Sequence, residues 1–67
     1  MSYFALARRS RDYHGNVLHI FVRPQADLEY LTRVAQPGDT MHKVPEGIVH
    51  SGALVSEFVQ HDKGLRV

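Results

Sequence analysis

The sequence predicts an α+β domain, and three observations carry the prediction. Apolar and polar residues alternate with period two near the amino terminus, which is the pattern of half-buried strands. Apolar residues then recur at helical spacing between Pro24 and Pro37-Gly38. Further strand-like runs flank the turn sequence Pro45-Glu46-Gly47.

The first element is an N-terminal antiparallel hairpin. In Tyr3-Phe4-Ala5-Leu6-Ala7-Arg8, Phe4 and Leu6 share one face. In Val17-Leu18-His19-Ile20-Phe21-Val22, Leu18, Ile20 and Val22 share one face, with Val17, His19 and Phe21 opposite. Gly15 and Asn16 suit the turn because both tolerate positive φ. The core is expected at Leu18, Ile20 and Val22, with Tyr3 on the other face beside Val17 and Phe21. Arg23-Pro24 ends the second strand, and Pro24 suits the start of a helix. Asp27 and Glu29 put negative charge where the helix dipole favours it. Leu28, Leu31, Val34 and Ala35 then predict a helix near 25–36, stopped by Pro37-Gly38.

A second hairpin is expected near 40–51, with Thr40-Met41-His42-Lys43-Val44 and Ile48-Val49-His50-Ser51 as its arms. Leu54, Val55, Phe58 and Val59 favour a C-terminal helix, with Ser51 as its cap and Gly64-Leu65 as a Schellman ending. A further strand pair competes for this stretch, with His61-Asp62-Lys63-Gly64 turning into Leu65-Arg66-Val67. One short helix cannot cover both faces of the first hairpin. Either the C-terminal segment covers the second face, or that face stays open and pairs with another chain, as in a homodimer.

A chain of 67 residues reads as one small domain, residues 1–67. At this size folding buries roughly 60% of the surface of the extended chain, so stability is marginal. Small domains of this kind often add disulfides, a metal or self-association. The absence of cysteine removes disulfides and thiolate zinc sites, and suits a reducing compartment. Apolar residues make up 43% of the chain, ordinary globular usage that argues against disorder. No apolar run reaches the length of a membrane span, about 18 residues. The opening residues lack the pattern of a secretion signal. The expectation is a soluble cytoplasmic protein with no membrane partner.

Charge is distributed unevenly. Residues 1–23 carry Arg8, Arg9, Arg11 and Arg23 against Asp12. Residues 24–67 carry Arg33, Lys43, Lys63 and Arg66 against Asp27, Glu29, Asp39, Glu46, Glu57 and Asp62. A basic first third thus hides behind a net charge of +1. Arg8, Arg9 and Arg11 are expected in the loop of the first hairpin, with Tyr13 and His14 beside them. Clustered guanidinium groups attract carboxylates and phosphates, and an aromatic ring adds a stacking surface. The low net charge argues against a dedicated nucleic-acid binder.

Five histidines raise the question of a metal: His14, His19, His42, His50 and His61. His42 and His50 would face each other across the second hairpin, with His19 or His14 as a third ligand. One local pattern belongs here. Gly38-Asp39, followed by Val44-Pro45-Glu46-Gly47-Ile48-Val49-His50, resembles the second motif of the cupin family, in which a histidine after a Pro-x-Gly turn binds metal. The resemblance implies His50 as that ligand. It spans about thirteen residues, the family's first motif is missing, and the chain is too short for the family's double-sheet barrel. The pattern is therefore treated as a recurring turn and strand.

Nucleophilic catalysis finds no motif. His50 and Ser51 are adjacent on an expected strand and would point to opposite faces. Asp27 and Glu29 face different directions on a helix. The reading is a non-enzymatic adaptor or inhibitor without a cofactor. It would occupy a protein partner through Arg8, Arg9, Arg11 and Tyr13 on a basic hairpin, and through an apolar sheet face around Phe21. A histidine metal site at His19, His42 and His50 is the alternative, as is nucleic-acid binding through the same arginines.

Overall fold

The N-terminal alternation becomes two ten-residue strands, β1 (Tyr3–Asp12) and β2 (Gly15–Pro24). The architecture is that of a computed structural model that describes residues 2–13 and 15–67, the side chains of Asp12 and Asn16 excepted. The ladder runs from Tyr3 opposite Pro24 to Asp12 opposite Gly15, whose φ of +117° is accessible to glycine at little cost. A short 3-10 turn (Gln25–Asp27) leads into helix α1 (Leu28–Val34), within the predicted span 25–36. Strand β3 (Thr40–Val44) follows, then a second 3-10 turn (Glu46–Ile48), helix α2 (Gly52–His61) and a two-residue strand, β4 (Leu65–Arg66). The strands form one antiparallel sheet in the order β2-β1-β3-β4. The α+β class is therefore observed, and no helix among the described residues is long and apolar enough to cross a membrane.

Register decides what each face carries. Partner numbers on β1 and β2 sum to an odd value, so odd residues of β1 share a face with even residues of β2. One face therefore presents Ala5, Ala7, Leu18, Ile20 and Val22 with His42 and Val44 of β3, and α2 lays Val55 and Val59 upon it. Tyr3 packs with this cluster, beside Val22 and not with Val17 and Phe21 as expected. The opposite face carries Leu6, Phe21 and Met41, and α1 supplies the fully buried Leu31. Arg23 lies 5.2 Å from the centre of the Tyr30 ring, tying the end of β2 to α1. Each face thus has its own helix, so of the two alternatives for the second face the C-terminal segment covers it.

Three further expectations change. The arginines lie on β1 itself and not in a loop, because β1 and β2 stay paired out to Asp12 and Gly15. The second hairpin does not form. Residues 46–48 coil into a 3-10 turn, with Val49 N–H donating to the Glu46 carbonyl and Ser51 N–H to that of Ile48. Ile48 and Val49 spend their apolar surface on the α2 cluster, while β3 pairs with β1 and β4. Both C-terminal alternatives are partly present, since α2 and β4 coexist. Ser51 caps α2 as expected, accepting from the Leu54 N–H at 3.3 Å. Ser51→Ala should cost about 1 kcal/mol in thermal or denaturant unfolding. Gly64 does not close α2, which ends with Asp62 N–H on the Phe58 carbonyl. Its positive φ instead turns the chain into β4.

Candidate functional site

The three clustered arginines divide by the pleat of β1. Arg8 points to the α1 side, and Arg9 and Arg11 to the α2 side. Arg8 is consumed by the fold. Its Nε donates to Asp39 Oδ1 at 3.1 Å and its Nη2 to Asp39 Oδ2 at 2.9 Å, with a further bond from Nη2 to the Val34 carbonyl at 3.0 Å. Gln36 N–H donates to the same carboxylate at 2.9 Å. The Arg8 guanidinium, through its hydrogen bond, holds the buried Asp39 carboxyl below the usual carboxylate range. Burial opposes this shift and the Gln36 N–H assists it. Arg8 also lies 5.7 Å from the centre of the Phe21 ring. The pair therefore joins β1, the last turn of α1 and the loop before β3.

Beyond Ala7, β3 no longer pairs with β1, whereas β2 continues to Gly15. Residues 8–12 and their partners thus form a two-stranded arm about 17 Å long, at the strand rise of about 3.4 Å per residue. Arg9 and Arg11 are exposed on one face of this arm, and Tyr13 stands at its tip with 97% of its surface exposed. Phe21 is 39% exposed at the base of the opposite face, beneath Arg8. The arm brings Arg9, Arg11 and Tyr13 together and separates them from Arg8 and Phe21.

Next to the arm, on the α2 side, lies a cleft of about 260 Å³. Arg9, Thr40, Gln60, Lys63 and Arg66 line it, and His42 forms part of its wall. Thr40 Oγ1 lies 2.7 Å from His42 Nε2, and His42 Nδ1 lies 2.8 Å from Asp62 Oδ2. An ionised carboxylate only accepts, so Nδ1 carries a proton, and a neutral ring takes the Thr40 hydroxyl proton at Nε2. The same order of groups activates hydroxyl nucleophiles in hydrolases. Here the ring is buried and joins β3 to the carboxyl end of α2, which fixes the Thr40 hydroxyl at the cleft wall. The spacing of Thr40 and His42 on one strand face was visible in the sequence. Their link to Asp62, twenty residues on, was not.

The histidines do not converge. His42 faces α2, His19 lies on the opposite sheet face, and His50 is exposed in the turn after Glu46–Ile48. His14 lies outside the described residues. The proposed pairing of His42 with His50 needed the hairpin that does not form. Among the described residues no group of three His, Asp or Glu side chains is placed to hold a metal ion. Comparison with protein-family models, with curated proteins and with solved structures returns no match.

Proposed function

We propose that this chain is a small non-enzymatic binding protein, an adaptor or inhibitor, that occupies an acidic surface on a partner protein through its basic arm. The observation that supports this reading is the outward half of the arginine cluster. Arg9 and Arg11 stand on a projecting two-stranded arm, with Tyr13 at its tip, instead of being neutralised within the fold as Arg8 is. Fork-shaped guanidinium donors suit carboxylates, and a tyrosine at the tip adds contact area at low cost in side-chain entropy. The narrow arm suits a groove more than a flat surface. The cysteine-free composition suits a cytoplasmic setting.

Untagged protein coupled to a support and exposed to host lysate, at low and moderate salt and with or without nuclease, tests this reading. One protein retained in both nuclease conditions, and weakened by salt, is the expected result. Retention that disappears with nuclease would replace a protein partner with a nucleic acid.

A further inference from the structure

The cleft beside the arm has chemistry of its own. Arg9, Lys63 and Arg66 arrive from β1, the α2–β4 connection and β4, and no side chain of the three has a hydrogen-bond or ion-pair partner among the described residues. The one carboxylate in the lining, Asp62, already accepts from His42. The cleft therefore holds three cationic side chains against one engaged anion. Register explains how they meet. Ala7, Thr40 and Arg66 form one cross-strand row, and Arg9 is the next residue on that face of β1. Adjacent strands lie about 4.8 Å apart, so Arg9 and Arg66 flank the Thr40 hydroxyl from its two neighbouring strands, within reach of a common ligand. Gln60 adds an amide from α2.

We propose that this cleft binds a phosphomonoester dianion. Two guanidinium forks, an ammonium and an amide offer converging donors of the kind a tetrahedral oxyanion takes, and one carboxylate would leave much of that charge unmatched. The volume holds a phosphate with a small organic group attached. Arg9 is shared with the arm, whereas Lys63 and Arg66 lie outside it, so those two residues test the cleft separately from the arm's partner.

Amide chemical-shift titration of the full chain tests the site, with phenyl phosphate, inorganic phosphate, a phosphoserine peptide, acetate and a short oligonucleotide as separate probes. Phenyl phosphate is expected to saturate below about 20 mM, with the largest shifts at Gly38, Thr40, Gln60 and Lys63, while acetate at equal ionic strength leaves them in place. Lys63→Ala/Arg66→Ala should weaken phenyl phosphate by about ten-fold or more and leave the spectrum of the hairpin unchanged. Tighter binding of phenyl phosphate than of the peptide marks a small-molecule ester as the source, and the reverse marks a phosphorylated partner residue. Equal shifts with acetate, an unaltered titration in the double variant, or saturation by the oligonucleotide alone would each overturn the proposal. Absence of partner capture by the wild-type chain, with phosphate binding intact, would count against the arm and not against the cleft.

Discussion

Asp39→Ala is expected to lower stability by about 2–4 kcal/mol, because it strands the Arg8 guanidinium without its anion and leaves the Gln36 N–H unpaired. The range sits below that for a fully buried pair because a quarter of the Arg8 side chain, 26%, remains in contact with solvent. A domain of this size has only about 3–10 kcal/mol in total, so the loss is a large share. It corresponds to a fall in melting temperature of roughly 8–32 °C. The carboxylate also sets a pH dependence. Its pKa is lower in the folded chain than in the unfolded one, so the stabilisation is complete above the ordinary carboxylate value of about 3.9 and disappears as pH falls through the folded value. The stability difference between wild type and Asp39→Asn should therefore be constant near neutrality and shrink below about pH 4. A difference that persisted undiminished in acid would mean that Asp39 acts by shape and not by charge.

Gly64→Ala is the second large effect. The φ of +62° is left-handed, which costs an L-residue about 1–2 kcal/mol. A Cβ there would also stand 2.6 Å from His42 Cε1, 2.7 Å from His42 Nδ1 and 2.8 Å from the Met41 carbonyl oxygen. The ring cannot swing away, because Thr40 and Asp62 hold both nitrogens, and the carbonyl belongs to the β3 backbone. Overpacking of this kind adds about 1–3 kcal/mol, so the total is roughly 2–5 kcal/mol. Gly47→Ala, with no atom within 4 Å of its Cβ, is the control and should stay within about 0.5 kcal/mol. A Gly64→Ala loss no larger than the control's would mean that His42 is not packed as described.

These two positions show where the sequence was legible and where it stopped. The alternation in residues 3–8 and 17–22 reports local backbone and was readable, as were the helical spacing after Pro24 and the Ser51 cap. What escaped depended on long-range pairing. Tyr3 changed faces because one residue of hairpin register inverts every side chain. Ile48 and Val49 carry strand-forming side chains, yet burial against α2 outweighed that preference. The arginine cluster was visible, but its partition was not. Arg8 meets Asp39 across 31 positions, and only the fold shows that this guanidinium is occupied while those of Arg9 and Arg11 face outward. Nothing in the sequence sets Lys63 and Arg66 apart from the other charges of residues 24–67, and only the pairing of β4 with β3 brings Arg66, with Lys63 just before it, to the cleft beside Arg9.

That partition can be measured by comparing Arg8→Ala with Arg9→Ala/Arg11→Ala, reading both the melting temperature and partner capture. The account predicts that Arg8→Ala lowers the melting temperature, whereas the double variant melts like wild type and loses capture along with its salt dependence. A double variant that captures the partner as well as wild type would contradict the assignment of the arm.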